Sequence, residues 1–399
     1  MAETGTERWN ALDALRGAAV AGMIIVTSPG DWNASYAPLR HAEWNGWTLT
    51  DMVFPTFLFS VGLALGLSFP RPLDRADARK ALWIRVARRV IALVLLGLVL
   101  NALMEFGRSL WMPQASVPDT VRIPGILQRI ALCYLLGVAL IVATALRDAD
   151  GRSRVNPIAI SIAIAVALLL YWGLMMLVPV PGFGAGRLDP AGNLAGYVDR
   201  AIFTPPHLWW LGWATPGGPP VYDPEGLLST LPATANLLFG VLAALEWRRA
   251  PARAPVRIAI AGAVLFAAGL AFDPLFAINK RIWTSSFALL SSGFSALLLA
   301  AFALALGSSL AERLSAPLRI LGGNAILGFT LSIVLGVIGG MPLLHLGGKP
   351  ATPQAWGDGV ALGIVPDPQL ASLACAFAIL ALITLLIWPL HRRGIHFRL

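Results

Sequence analysis

Residues 156–178 read NPIAISIAIAVALLLYWGLMMLV, and no charged side chain falls among them. A run of this length and character is enough to cross about 30 Å of hydrocarbon as a helix. Within lipid no water serves the backbone, so the run must satisfy its own amides and carbonyls, as an α-helix does. Working outward, comparable runs recur over roughly 11–28, 49–69, 88–106, 125–146, 227–246, 256–273, 283–307, 318–340 and 369–389. The fold expected is all-α: a polytopic integral membrane protein of about ten transmembrane helices. Residues 1–399 are read as a single transmembrane domain.

Composition agrees. Of 399 residues, 57% are hydrophobic and 13% charged, where a soluble domain averages about 25% charged. The net charge of +9 would suggest nucleic acid on a soluble protein, but here the arginines gather between the apolar runs. Arg71, Arg75, Arg79, Lys80, Arg85, Arg88 and Arg89 separate spans two and three; Arg147, Arg152 and Arg154 separate four and five. Arg248, Arg249, Arg253 and Arg257 separate six and seven, and Arg392, Arg393 and Arg398 end the chain. With ten spans all these segments fall on one side, which the positive-inside rule makes cytoplasmic, together with both termini. No nucleic-acid partner is expected. The scarcity of lysine (Lys80, Lys280 and Lys349) beside abundant arginine and alanine points to a GC-rich bacterial source and an inner membrane.

The N-terminal run carries Asp13 and Arg16 at its start and no small-residue cleavage site follows, so it reads as a retained first helix. Cys133 and Cys375 both sit in apolar runs and suggest neither a disulfide nor a metal site. No phosphate-cradling loop, dinucleotide fingerprint or paired-histidine metal motif occurs. The opposite loops are long and rich in Gly, Pro and Trp, so that face is where recognition or chemistry is expected.

The first outer loop packs His41, Glu43, Trp44, Trp47 and Asp51 beside a helix start. Thr48 and Asp51 have the spacing of a capping box, and the tryptophans suit an interfacial belt. Yet a neutral imidazole beside carboxylates is also the arrangement of a general base. Of the five histidines, His391 and His396 read as plain tail residues, His207 as an interface anchor, and His345 as undecided. His41 is the candidate base, oriented by Asp51 or Glu43. Arg129, entering span four, demands a carboxylate or an anionic ligand, because an unpaired guanidinium at that depth is very unfavourable. Asn324 enters span nine after two glycines. Asp223, Glu225 and Lys280, with Trp44, form outer-face groups able to hold a polyhydroxylated molecule, and each also reads as a cap or anchor.

The segments Leu12–Gly17, Pro29–Trp32, Ala37–Thr48, Asp51–Pro55, Arg122–Arg129, Gly186–Asp189, Asp223–Thr230, Asn279–Ser286 and Gly323–Ala325 resemble, in order and spacing, the transmembrane acyltransferases related to heparan-α-glucosaminide N-acetyltransferase, above all the bacterial NagX-type members. The resemblance implies transfer of an acetyl group from cytoplasmic acetyl-CoA to a terminal glucosamine amine on the far side, with the active histidine at His41. Relatives usually carry Asn where this chain has Thr27-Ser28, which puts the acceptor geometry in question. On this reading His41, Asp51 and Glu43 carry the catalysis. Arg16, Arg85, Arg88, Arg89, Arg129 and Asn324 hold acetyl-CoA or the oxyanion, and Asp223, Glu225, Lys280 and Trp44 hold the amino sugar. No metal is expected, and a homodimer is left open. The alternatives are an O-acyltransferase of surface polysaccharide and an amino-sugar transporter.

Overall fold

A computed structural model of the protein describes residues 2–69, 76–110, 117–149, 151–306 and 308–397. Arg71, Arg75 and Arg398, counted above among the basic loop residues, lie outside the described residues. In chain order the helices are α1 (Ala2–Thr27), α2 (Leu49–Leu67), α3 (Ala76–Ser109), α4 (Val117–Thr120), α5 (Ile126–Ala143), α6 (Pro157–Leu177), α7 (Leu194–Phe203) and α8 (Thr230–Arg249). They continue with α9 (Ala254–Phe272), α10 (Ser285–Ala305), α11 (Ser309–Leu314), α12 (Ala316–Gly323), α13 (Ala325–Gly340), α14 (Pro353–Ile364) and α15 (Pro368–Arg392). Two short hairpins, Leu146–Arg147 with Ser153–Arg154 and Leu344–Leu346 with Lys349–Ala351, are the named strands among the described residues.

Among the described residues nine helices are long and apolar enough to cross a membrane: α1, α2, α3, α5, α6, α8, α9, α10 and α15. α12 and α13 qualify only together and are bent by 89°. The straight span expected over 318–340 is therefore broken, and the break falls after Gly322-Gly323, at Asn324. The local cause is a backbone-to-backbone contact. A Cβ on Gly322 would lie 1.9 Å from the Asp13 carbonyl oxygen, and one on Gly17 would lie 1.7 Å from that of Leu318. α12 thus lies directly on α1, and two poor helix formers let the chain turn away from it. α3 is longer than the 88–106 expected, because Ala, Arg, Lys and Leu extend it back to Ala76 as good helix formers.

α2 is the axis of the bundle: 83% of its apolar window is buried inside the protein, against 17% for α9 at the periphery. It packs on α8 through small residues, as membrane helices do when backbones must approach. A Cβ on Gly62 would lie 1.7 Å from the Leu237 carbonyl oxygen, and one on Gly240 would lie 2.0 Å from that of Phe59. Around this pair Leu58, Val61, Leu127, Ile130, Leu237, Phe287 and Leu290 close the main core. The bundle has two ends. At one, Arg248 reaches the Leu67 carbonyl and His396 stands beside Gly323. At the other, Gly46 pairs with Asn279 by an isolated parallel bridge, joining the loop before α2 to the loop before α10.

Candidate active site

At the N-terminus of α2 both readings of Asp51 are realised at once. Its Oδ2 accepts the Thr48 amide at 2.9 Å and the Ala42 amide at 3.2 Å, while its Oδ1 stands 2.6 Å from His41 Nδ1. The helix cap therefore also fixes the loop that carries the histidine. Thr48 Oγ1, donating to the Arg40 carbonyl at 2.7 Å, draws the same loop onto the helix. With Nδ1–H given to a carboxylate, the other ring nitrogen, Nε2, is left as an acceptor. The imidazole side chain is 38% exposed, so that nitrogen has a way out to a substrate, whereas the Asp51 side chain is 1% exposed. Burial lowers the His41 pKa below its ordinary value, and the Lys280 charge lowers it further, outweighing the upward pull of Asp51. His41 is thus neutral and able to take a proton at pH 7. Glu43 is exposed, and Asp51 already occupies Nδ1, so Asp51 alone orients the ring.

Beside this pair lies a buried ionic cluster. Arg122 donates to Asp223 Oδ2 at 2.8 Å and to Asp223 Oδ1 at 2.5 Å, and also to Glu225. Lys280 Nζ is 3.7 Å from Glu225 Oε1. The remaining capacity of Asp223 is taken by the backbone amides of Trp209 and Glu225. Opposite charges, the nearest effective being Lys280 and Arg122, hold Glu225 well below the ordinary carboxylate range against its burial. Asp223 and Glu225, expected to touch a sugar, are thus committed to a scaffold that positions Lys280. Trp44 donates its Nε1–H to the Leu188 carbonyl at 2.9 Å and meets Tyr222 edge-on at 5.0 Å, so its polar tip is already used.

Arg129 has the most demanding surroundings. It is 1% exposed. One terminal nitrogen donates to the Gly226 carbonyl at 2.7 Å and to Ser229 Oγ at 2.5 Å, and the guanidinium stands 5.0 Å over the Trp283 ring. Its Nε and Nη1 are buried without a partner. Neither a carboxylate nor a second carbonyl completes the group, a costly state for a buried charge. Trp283 adds a second anomaly, a φ of 51° at a bulky residue, and backbone strain of that kind clusters at functional sites. The indole N–H of Trp283 is held by Asn236 Oδ1 at 2.9 Å.

The far end of α2 opens on a cavity of about 600 Å³. Phe57, Val61, Leu65 and Ser68, one face of the helix at helical spacing, run up its side, with Leu127 and Ile130 of α5 opposite. Arg16, Arg89, Gly322, Gly323, His396 and Phe397 stand around its lower part. Its upper lining residue on α2, Phe57, is six positions from Asp51, a rise of about 9 Å along the helix. Arg129 lies on the same helix as the cavity residues Leu127 and Ile130, with its guanidinium among Gly226, Ser229 and Trp283.

Sequence reasoning spread the donor contacts over residues that the structure divides. Arg16 and Arg89 line the cavity, while Arg85 and Arg88 are exposed on the outer side of α3. Asn324 is wholly buried at the helix break, its Oδ1 accepting the Phe397 amide at 2.9 Å. It lies the length of α2 away from His41, too far to stabilise charge there. Thr27 Oγ1 is spent on the Met23 carbonyl at 2.7 Å, and Ser28 Oγ is buried without a partner. Arg122 and Trp283 lie in segments that carry the family resemblance but have no role assigned from it, and Asp199 has no local signal, since each is defined by partners far along the chain. Asp199 accepts the Leu227 amide at 2.9 Å, leaves its Oδ2 unpartnered, and is pushed up to about 7, mainly by burial. Among the described residues no group of three or more His, Cys, Asp or Glu is placed to hold a metal.

Fold and site together define a multi-pass helical membrane protein that carries a histidine–aspartate pair at one end of its central helix and a cavity at the other. The chain belongs to the family described as heparan-alpha-glucosaminide N-acetyltransferase, catalytic, whose model matches residues 8–245. That segment contains His41, Asp51, Arg122, Arg129, Asp223 and Glu225. The human heparan-alpha-glucosaminide N-acetyltransferase is 28% identical over 326 residues, covering 72% of this chain and 47% of the human protein. The mouse protein of the same name is 28% identical over 265 residues, covering 60% and 39% respectively. The chain therefore spans less than half the length of these relatives.

Proposed function

We propose that the protein is a transmembrane acetyltransferase of a bacterial inner membrane, taking acetyl groups from cytoplasmic acetyl-CoA and giving them to the amine of a glucosamine-type sugar on the outer side. The observation that carries this is the polarity of α2: at its head an imidazole whose Nδ1 is held by Asp51 and whose Nε2 is left free, and at its foot a cavity rimmed by Arg16 and Arg89. The basic loops support a cytoplasmic cavity end, by the positive-inside rule. The cavity fits the donor, since its upper walls are apolar for the pantetheine arm and its rim basic for the phosphates. It also climbs α2 toward the histidine.

In this mechanism His41 Nε2 accepts a proton from the attacking sugar amine as its nitrogen bonds to the thioester carbonyl carbon. The carbon–sulfur bond breaks, the electron pair leaves with the thiolate, and the imidazolium returns the proton to it. Asp51 stabilises the imidazolium and keeps the ring in place. The two unpartnered nitrogens of Arg129, Nε and Nη1, are the donors best suited to the carbonyl oxygen as it gains charge. Burial, and after it the charge of Lys280, favours the neutral form of His41 that accepts the proton.

Purified protein in detergent, supplied with acetyl-CoA and glucosamine or a glucosaminide, tests this directly. Wild type should form the N-acetyl product, and His41→Ala should lower kcat/KM by about 10² to 10⁴ while remaining folded, the range for a lost general base. Equal turnover by both proteins would remove His41 from the mechanism. Acetyl transfer to hydroxyl acceptors alone would replace the amine with an O-linked acceptor. Sugar uptake into vesicles without acetyl-CoA would replace the enzyme with a transporter.

A further inference from the structure

The C-terminal tail, which the sequence presents as an ordinary basic end, turns back into the protein. α15 closes at Arg392, and Gly394 takes a φ of 66°, a conformation that glycine adopts without cost. The Gly394 amide donates to the His391 carbonyl at 3.0 Å and the Ile395 amide to Leu390 at 2.9 Å. The chain then runs under the bundle until the Phe397 amide reaches Asn324 Oδ1 at 2.9 Å. The tail is thereby tied to the break between α12 and α13, and His396 and Phe397 become walls of the large cavity.

Three polar atoms around that tie are buried and have no partner: His396 Nδ1, His391 Nδ1 and Asn324 Nδ2. Gly323 separates the histidines from the helix break, and a Cβ there would lie 3.2 Å from His396 Nδ1 and 3.7 Å from His391 Nδ1. The first residues of α13, Ala325 and Ile326, line the same space, so the amide end of a 16-residue helix adds its partial positive charge. Arg16, which donates to the Gly322 carbonyl at 3.4 Å, and Arg89 line the same space, and the one carboxylate on the lining, Asp13, is 3.7 Å from Arg16. A concave space lined by two guanidinium groups, an imidazole and the amide end of a helix matches a phosphate ester.

We infer that the C-terminal tail is part of the donor-binding site, with His396 a ligand for a phosphate group at the nucleotide end of the thioester donor. This rests on the acetyl-CoA reading above. It assigns to the tail a binding role rather than a catalytic one: His396 acts on how tightly the nucleotide is held, and the transfer at His41 proceeds without it. Asn324 is a positioning residue that holds the tail in place.

The discriminating experiment compares two donors, acetyl-CoA and S-acetylpantetheine, which has the thioester arm and lacks the nucleotide. His396→Ala should raise KM for acetyl-CoA about tenfold, the value of one charge-assisted hydrogen bond. It should leave kcat/KM for S-acetylpantetheine unchanged, and His396→Lys should restore the acetyl-CoA value. Equal losses with both donors, or no loss with either, would overturn the assignment. A second readout needs no turnover. In His396→Cys, modification by a charged methanethiosulfonate should slow when adenosine 3′,5′-bisphosphate is added and not when pantetheine is. If wild type consumes neither thioester, the acetyl-CoA reading fails. The labelling then decides the tail by itself: protection by the bisphosphate keeps the phosphate site, and absence of protection removes it.

Discussion

The two ends of α2 solve opposite problems. At the head, the charged groups around the histidine are largely committed: His41 to Asp51, Asp223 and Glu225 to Arg122, Lys280 to Glu225. At the foot, polar groups stand about a large cavity with Asn324, His391 and His396 nitrogens unspent. A site that performs chemistry gains from fixed dipoles, because nothing then reorganises as charge develops. A site that binds a polyanion gains from donors left open, because the ligand completes them. Arg129 and Asp199 depart from this at the head, each with buried polar atoms that have no partner.

The sharpest way to break this contrast is Arg122→Ala. It leaves the Asp223 and Glu225 carboxylates buried beside each other, with Lys280 the cation near Glu225. Removing one partner of a buried pair costs about 3–5 kcal/mol, so the variant should lose its thermal transition in detergent or show it greatly lowered. An unchanged transition would mean that the head is held by its helices and the cluster is incidental. Asp51→Asn should act more locally. The amide still accepts at the helix cap, so stability should fall by about 1 kcal/mol or less. Activity should fall by about a hundredfold or more, because an amide no longer stabilises the imidazolium and can select the wrong tautomer. Loss of stability without loss of rate would reduce Asp51 to a cap.

The bundle was legible because hydrocarbon thickness imposes one length on every crossing segment, and nothing outside the run is needed to read it. The break at Asn324 was not, because Gly322-Gly323 shows only that a bend is tolerated, whereas the contact with Asp13 on α1 makes it necessary. His41 could be joined from sequence to a nearby carboxylate, Asp51 or Glu43, and the structure selects Asp51. Arg122 could not be joined to Asp223 across 101 positions, nor Lys280 to Glu225. Arg129 shows the limit most clearly. Its depth announced a need for compensation, yet the compensation came from a carbonyl, a hydroxyl and the Trp283 ring. His396 reads as a plain tail residue because the turn at Gly394 and the Phe397 bond to Asn324, which bury its Nδ1, leave no local sign.

The smallest effect asks whether Lys280 tunes the base or merely fills the cluster. His41 carries a pKa below its ordinary value, burial being the first cause and Lys280 the second. The protonated form is the inactive one, so the rate should rise with pH through that lowered value and the acid limb should lie below pH 6.5. Lys280→Met removes a positive charge, makes the imidazolium easier to form, and should move the limb to higher pH. Asp51→Asn removes a negative charge and should move it to lower pH. Because Glu225 keeps Arg122 in the first variant, folding should survive for the comparison. Opposite displacements in the pH profiles of kcat/KM would show one imidazole balanced between the two charges. A limb that ignores both substitutions would mean that the titrating group is not His41, and that the head of α2 orients a base located elsewhere.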